Sequence, residues 1–118
     1  MIRGTTRLIA HIGWPTHAFK APMIYNPYFE QAGLDVVVVP MAFQTQHYAG
    51  FLRSVFTLEN IAGALITMPH KVSTVALLDV ASPTVAIAGS CNAVRRDEQG
   101  RLVGDMFAGS GAGGEAAM

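Results

Sequence analysis

Apolar residues recur along the chain in two alternating rhythms. Short runs rich in β-branched residues, Arg7 to Gly13, Val36 to Val39 and Ile61 to Thr67, are separated by stretches in which apolar residues return at helical spacing. The first pattern suits pleated strands and the second suits helices with one face on a core, so their order predicts an α/β domain with a mostly parallel sheet. The first strand stops at Gly13-Trp14-Pro15, where proline withholds a ladder donor. After a loop from Thr16 to Ala21, Pro22 opens a helix to about Ala32, with Ile24, Tyr28 and Phe29 inward and Gly33 as its stop. Val36-Val37-Val38-Val39 is apolar at every position, the pattern of a strand buried under helices on both faces.

Tyr48, Phe51, Leu52, Val55 and Phe56 form a helical stripe within Thr45 to Leu58. The third strand, Ile61 to Thr67, is closed by Pro69, and His70 to Val80 is predicted as a helix with Val72, Val75, Ala76 and Leu78 or Val80 facing in. Ser82-Pro83 restarts a short helical turn that ends near Gly89. Ala93 to Arg96 and Arg101 to Asp105 pair as a hairpin across Asp97-Glu98-Gln99-Gly100, a polar turn closed by glycine. The final stretch, residues 109–118, is mostly glycine and alanine and has too little apolar bulk to pack, so it reads as a flexible tail on a domain of residues 1–108.

Composition narrows the class. With 118 residues, 51% of them apolar and 14% charged, the chain can bury one self-sufficient core and is too apolar for disorder. Eight basic and eight acidic side chains cancel, which removes the positive field that nucleic acid or an anionic membrane surface would require. No apolar run approaches the roughly 18–20 residues of a membrane span. Met1 to Arg7 leads into the first strand without a small-residue cleavage site, so no signal peptide is expected. The single cysteine, Cys91, excludes an internal disulfide and a thiolate metal cluster, and suits a reducing, cytoplasmic setting. With no histidine near it in sequence, it reads as a packed small side chain rather than a nucleophile.

The four histidines, His11, His17, His47 and His70, lack metal-ligand spacing, so no metal is expected. Gly109-Ser110-Gly111-Ala112-Gly113-Gly114 matches the glycine pattern of a dinucleotide loop, but only Glu115 to Met118 follow where a helix would be needed, so the match reads as accidental. The informative stretch is Thr67-Met68-Pro69-His70-Lys71. Lysine occurs only at Lys20 and Lys71, and Lys71 falls just beyond the carboxyl end of a predicted parallel strand, where open α/β sheets bind ligands. An ammonium there is placed to hydrogen-bond to a hydroxyl or carbonyl and to stabilise developing negative charge. A solvated lysine in the first turn of a helix is an equal reading of the same residue.

Four short motifs carry a resemblance. Gly13-Trp14-Pro15 with Phe19-Lys20-Ala21-Pro22, Asn26 and Phe29 is the first. Leu65-Ile66-Thr67-Met68-Pro69-His70-Lys71 is the second, Gly89-Ser90-Cys91-Asn92-Ala93 the third, and Gly104-Asp105-Met106-Phe107-Ala108-Gly109 the fourth. In this order, from about Leu8 to Gly109, the chain resembles the substrate-binding domain of the shikimate dehydrogenase family, including the quinate/shikimate dehydrogenases. The matching family patterns are Gly-x-Pro with Ser-x-Ser-Pro, Asn-Val-Thr-x-Pro-His-Lys, Gly-Ala-Val-Asn-Thr and Gly-x-Asn-Thr-Asp-Gly. The resemblance implies a three-layer α-β-α sandwich with a mixed, mostly parallel sheet of about six strands, and a pocket at the carboxyl ends of the first and third strands. It also implies an NADP- or NAD-dependent oxidoreductase acting on the C–OH of a cyclic hydroxy acid or polyol, of the shikimate/3-dehydroshikimate type.

Lys71 then matches the catalytic lysine, Thr67 and Asn92 match hydroxyl-binding positions, and Phe19 and Ala21 stand where two serines hold the substrate carboxylate. The departures are expected to matter. A carboxylate loses two hydrogen bonds at Phe19 and Ala21, Leu65 makes the pocket less polar, and Ala108 replaces the aspartate that partners the lysine. His17 and Lys20 lie in the same loop, as substitute charges or as solvated ones. The family places a nucleotide-binding domain after this point, so the chain is expected to be a substrate lobe, as a fragment, a truncation or a stand-alone product. That lobe binds no cofactor itself and is inactive alone. The alternatives are a non-catalytic small-molecule-binding module or partner of a separate cofactor domain, and a structural, self-associating homo-oligomer.

Overall fold

The β-branched runs form strands and two of the helical stripes form helices, in the expected order. The computed structural model describes residues 1–107. It contains β1 (Arg7–Gly13), α1 (Ala21–Gln31), β2 (Val36–Ala42), α2 (Thr45–Val55), β3 (Ile61–Ile66), a 3-10 helix (Ser73–Leu77), β4 (Val80–Ala81), α3 (Pro83–Ala88), β5 (Ala93–Arg96) and β6 (Leu102–Asp105). The strands make one six-stranded sheet in the order β2-β1-β3-β5-β6-β4. β2, β1 and β3 run parallel, β5 is antiparallel to both β3 and β6, and β4 lies parallel to β6. The α/β class with a mixed, mostly parallel sheet is therefore as expected. The tail over residues 109–118, the glycine run within it and Ala108 lie outside the described residues.

Strand alternation divides the sheet's two faces. Ala10 and Ile12 of β1, Ala64 and Ile66 of β3, Val94 of β5 and Leu102 of β6 pack with Tyr48 and Leu52 of α2, with Phe56 beyond it, and with Val85 of α3 in one buried cluster. Each large side chain buried there contributes about 1.5–3 kcal/mol. His11 and Gly13 point to the other face, where the loop leading into α1 lies against them. Phe51, at the edge of the predicted α2 stripe, is half exposed, and the helix ends at Val55 rather than Leu58.

Three expectations change. First, Ile24 and Tyr28 of α1 face solvent, Tyr28 at 60% exposure, while Ala21 is buried and Asn26 and Phe29 are half-buried. The rotation of α1 is fixed by Asn26, whose carboxamide donates to the Val38 carbonyl at 3.0 Å and accepts from the Val38 N–H at 2.7 Å. Second, β2 is an edge strand in which only Val38 is buried, and it tolerates Pro40 for that reason. The four valines suit a central-strand pattern, but β2 lies at the edge, where the Asn26 side chain pairs with Val38 in place of a further strand residue.

Third, the helix predicted over His70 to Val80 is replaced by the 3-10 helix Ser73–Leu77 and the short strand β4, and Val72 is 69% exposed. Ser73 and Thr74 both donate their hydroxyls to the His70 carbonyl, at 3.2 and 2.7 Å, which favours a tight turn over a regular helix. Leu78 is already extended, and the Asp79 N–H joins the Leu102 carbonyl at 2.9 Å, drawing the chain beside β6. By contrast, α3 starts and ends as its residues dictate. The Ser82 hydroxyl accepts from the Val85 N–H, and Gly89 takes the left-handed conformation at its end (φ 67°).

Candidate functional site at the carboxyl ends of β1 and β3

The loops after β1 and β3 are tied together by backbone bonds. The Thr67 N–H donates to Ile12 O at 2.9 Å, and the Trp14 N–H donates to Met68 O at 3.1 Å. Both loops turn at a cis proline, Trp14–Pro15 and Met68–Pro69. Gly13 is the contact point. A Cβ there would lie 2.6 Å from the Thr67 methyl, 2.7 Å from Phe19 Cζ and 2.9 Å from Met68 O, so this close approach requires glycine.

His70 braces the second loop. Its ring stacks on Tyr48 with centroids 4.1 Å apart, and Nε2 lies 2.6 Å from the Phe43 carbonyl, which fixes Nε2 as the protonated nitrogen. Thr74 donates to His70 O, so Tyr48 is the donor in the 2.5 Å bond between the Tyr48 and Thr74 hydroxyls. Burial pushes the Tyr48 pKa up to about 12. This packing holds the residue that follows. Lys71 is 7% exposed, and its carbonyl accepts from the Cys91 N–H at 2.8 Å.

That bond brings the Asn92 segment alongside. Asn92 is buried, its carbonyl accepts from the Ile66 N–H at 2.8 Å, and its carboxamide pairs both ways with the Phe107 backbone, at 2.9 and 3.0 Å. The segments bearing Thr67, Lys71 and Asn92 thus meet at the carboxyl end of β3. Phe19 and Ala21 reach the neighbouring end of β1. Phe19 lies over His11 with ring centroids 4.2 Å apart, and Ala21 is fully buried at the start of α1. His17 and Lys20 are exposed in the same loop.

His11 was missed as part of this site, since spacing marked it only as a non-ligand. It is wholly buried, neither ring nitrogen has a hydrogen-bond partner among the described residues, and burial lowers its pKa to about 4. A histidine inside an otherwise apolar strand was the available signal. Cys91 is buried, its thiol pKa raised by burial, in the manner of a packed side chain. Among the described residues no group of three or more histidine, cysteine or acidic side chains is placed to hold a metal. Among the described residues no strand passes through a glycine-rich loop into a helix. Two hollows lie elsewhere. One, of about 240 Å³, borders Thr6, Asn26, Asp35 and Val36, and the other, of about 270 Å³, opens on the sheet beside Val80, Arg95, Val103 and Phe107.

Residues 12–94 match the family model of the shikimate dehydrogenase substrate binding domain. The chain belongs to this family. A shikimate dehydrogenase (NADP(+)) of Geobacter metallireducens is 34% identical over 81% of the chain, and one from Streptococcus equi subsp. zooepidemicus is 34% identical over 94%. These stretches are 33% and 38% of those proteins, so the chain spans about a third of the relatives' length. Among solved structures, shikimate 5-dehydrogenase from Listeria monocytogenes, in complex with shikimate and NAD, superimposes with a TM-score of 0.84 at 29% identity, covering 93% of this chain and 37% of that one. The shikimate dehydrogenase substrate-binding domain is thus both the sequence family and the fold of this chain, which holds no helix long and apolar enough to cross a membrane among its described residues.

Proposed function

We propose that the chain is the substrate lobe of an NAD(P)-dependent, cytoplasmic oxidoreductase that acts on a cyclic hydroxy acid or polyol. The observation that carries this reading is the convergence of Thr67, Lys71 and Asn92 at one sheet end, with Lys71 and Asn92 buried and Thr67 half-buried. A ring bearing several hydroxyls needs fixed donors and acceptors, because each hydroxyl enclosed without a partner weakens binding. The Thr67 hydroxyl holds one ring hydroxyl, and Asn92 shapes the wall beside it. Lys71 takes up or returns the proton of the reacting C–OH at Nζ. The accompanying hydride requires a nicotinamide carried by a second domain, so the 118-residue chain does not turn over by itself.

Calorimetric titration with shikimate, quinate and uncharged cyclic polyols tests the reading. Saturable binding of at least one ligand, lost or weakened at least about tenfold in Lys71→Ala, is expected. Binding indifferent to Lys71 contradicts it. Addition of NADP and ligand to the chain alone should give no change in nicotinamide absorbance, and a sustained rate would refute the division of labour. A second reading, a non-catalytic binding module, is favoured by Ala108, which stands where the family's aspartate partners the lysine. A fusion with a nucleotide-binding domain of a relative that binds substrate and cofactor yet stays inactive, and gains activity with Ala108→Asp, would select it.

A further inference from the structure

The end of β1 is faced by side chains that carry no charge. Residues 11 and 13 lie on one face of the strand, and Phe19 covers both: its ring stacks on His11 at 4.2 Å, and its tip touches the position of Gly13 beside the Thr67 methyl. The next inward position is Ala21 at the start of α1, fully buried, which offers only a methyl group. His17 and Lys20 of this loop are exposed and turned away from this face. Behind Phe19, His11 is fully enclosed, with both ring nitrogens unpartnered among the described residues, and its lowered pKa keeps it neutral near pH 7.

We propose that Phe19 and His11 form a specificity-determining wall that admits an uncharged, ring-hydroxylated substrate and rejects its carboxylate counterpart. The inference rests on the substrate-lobe reading above and names the substrate class for that same site. A carboxylate brought against a phenyl ring and a methyl group loses its hydration and gains no donor, a desolvation cost that a neutral group largely escapes. The face of Phe19 suits the C–H edge of a saturated ring. A neutral imidazole carries one donor and one acceptor, the complement of a hydroxyl, whereas an ionised carboxylate only accepts. Any ligand group that displaces the Phe19 ring meets His11 in this form.

The test compares shikimate with its methyl ester, which keep the same ring hydroxyls and differ in charge, by calorimetric titration of the unmodified 118-residue chain. The ester is expected to bind about tenfold or more tightly than the acid. Phe19→Ser combined with Ala21→Ser should reverse or abolish that preference, while Phe19→Leu, which keeps the wall apolar, should retain it. Thermal melts establish that each variant is folded before it is titrated. Acid binding as tightly as ester, with both weakened by Lys71→Ala, overturns the wall and leaves the substrate-lobe reading intact. Absence of binding by either ligand overturns both. A preference for the ester that survives the double serine variant in folded protein overturns the assignment to Phe19.

Discussion

His11 is held with its imidazole fully enclosed and both nitrogens without partners among the described residues. Its pKa in the folded chain, about 4, lies below the ordinary value of 6.5, so between those values the unfolded chain binds the proton and the folded chain does not. Proton binding by the unfolded chain therefore costs the fold almost nothing above pH 6.5 and progressively more as the pH falls towards 4, to a total of roughly 3 kcal/mol. Urea unfolding of His11→Leu should show a shallower loss of stability across this window than the unmodified chain, and higher stability at pH 7, because an unsatisfied polar ring is removed. Equal pH slopes in the two proteins would show that the imidazole is not held neutral by burial. Little of this was legible in the sequence. Spacing can disqualify a histidine as a metal ligand, but it cannot tell which strand face the ring occupies or whether a phenyl group covers it. Lys71 was legible for the opposite reason, since its type is rare in the chain and its position follows a strand end.

At the scale of elements, the edge of the sheet at β2 depends on Asn26. Its two hydrogen bonds to Val38 imitate the pairing of one further strand residue and cover part of an edge otherwise open to other chains. Asn26→Ala should destabilise the fold by about 1–3 kcal/mol, speed hydrogen exchange at the Val38 amide and raise the tendency to aggregate. Unchanged exchange at Val38 would show that the edge is protected by something else. Strand existence and the Gly33 and Gly89 helix stops were readable because β-branched runs and glycine act locally. Apolar spacing points Ile24 and Tyr28 of α1 inward, but Asn26, a polar residue, sets the helix's orientation through its bonds to Val38 and leaves both exposed, with Phe29 half-buried. The segment after Lys71 was given the wrong form because apolar spacing suited a helix, while Ser73 and Thr74 turn their hydroxyls onto the His70 carbonyl.

For the whole molecule, the parallel half of the sheet builds the proposed site and the antiparallel half borders it. β1 and β3 end side by side and deliver Gly13 and Thr67. β5 then returns antiparallel to β3, which sets Asn92 beside Ile66 and its neighbour Cys91 against Lys71. Sequence motifs identified these residues one at a time. The return of β5 explains how positions more than twenty residues apart come to share one strand end. The most direct test of the account is to titrate methyl shikimate into isotope-labelled protein and follow backbone amide chemical shifts. The account predicts that the largest changes fall on Gly13, Thr67, Lys71 and Asn92, with Phe19 among them. Changes confined to the hollow beside Thr6 and Asp35, or to the one beside Arg95 and Val103, would contradict it.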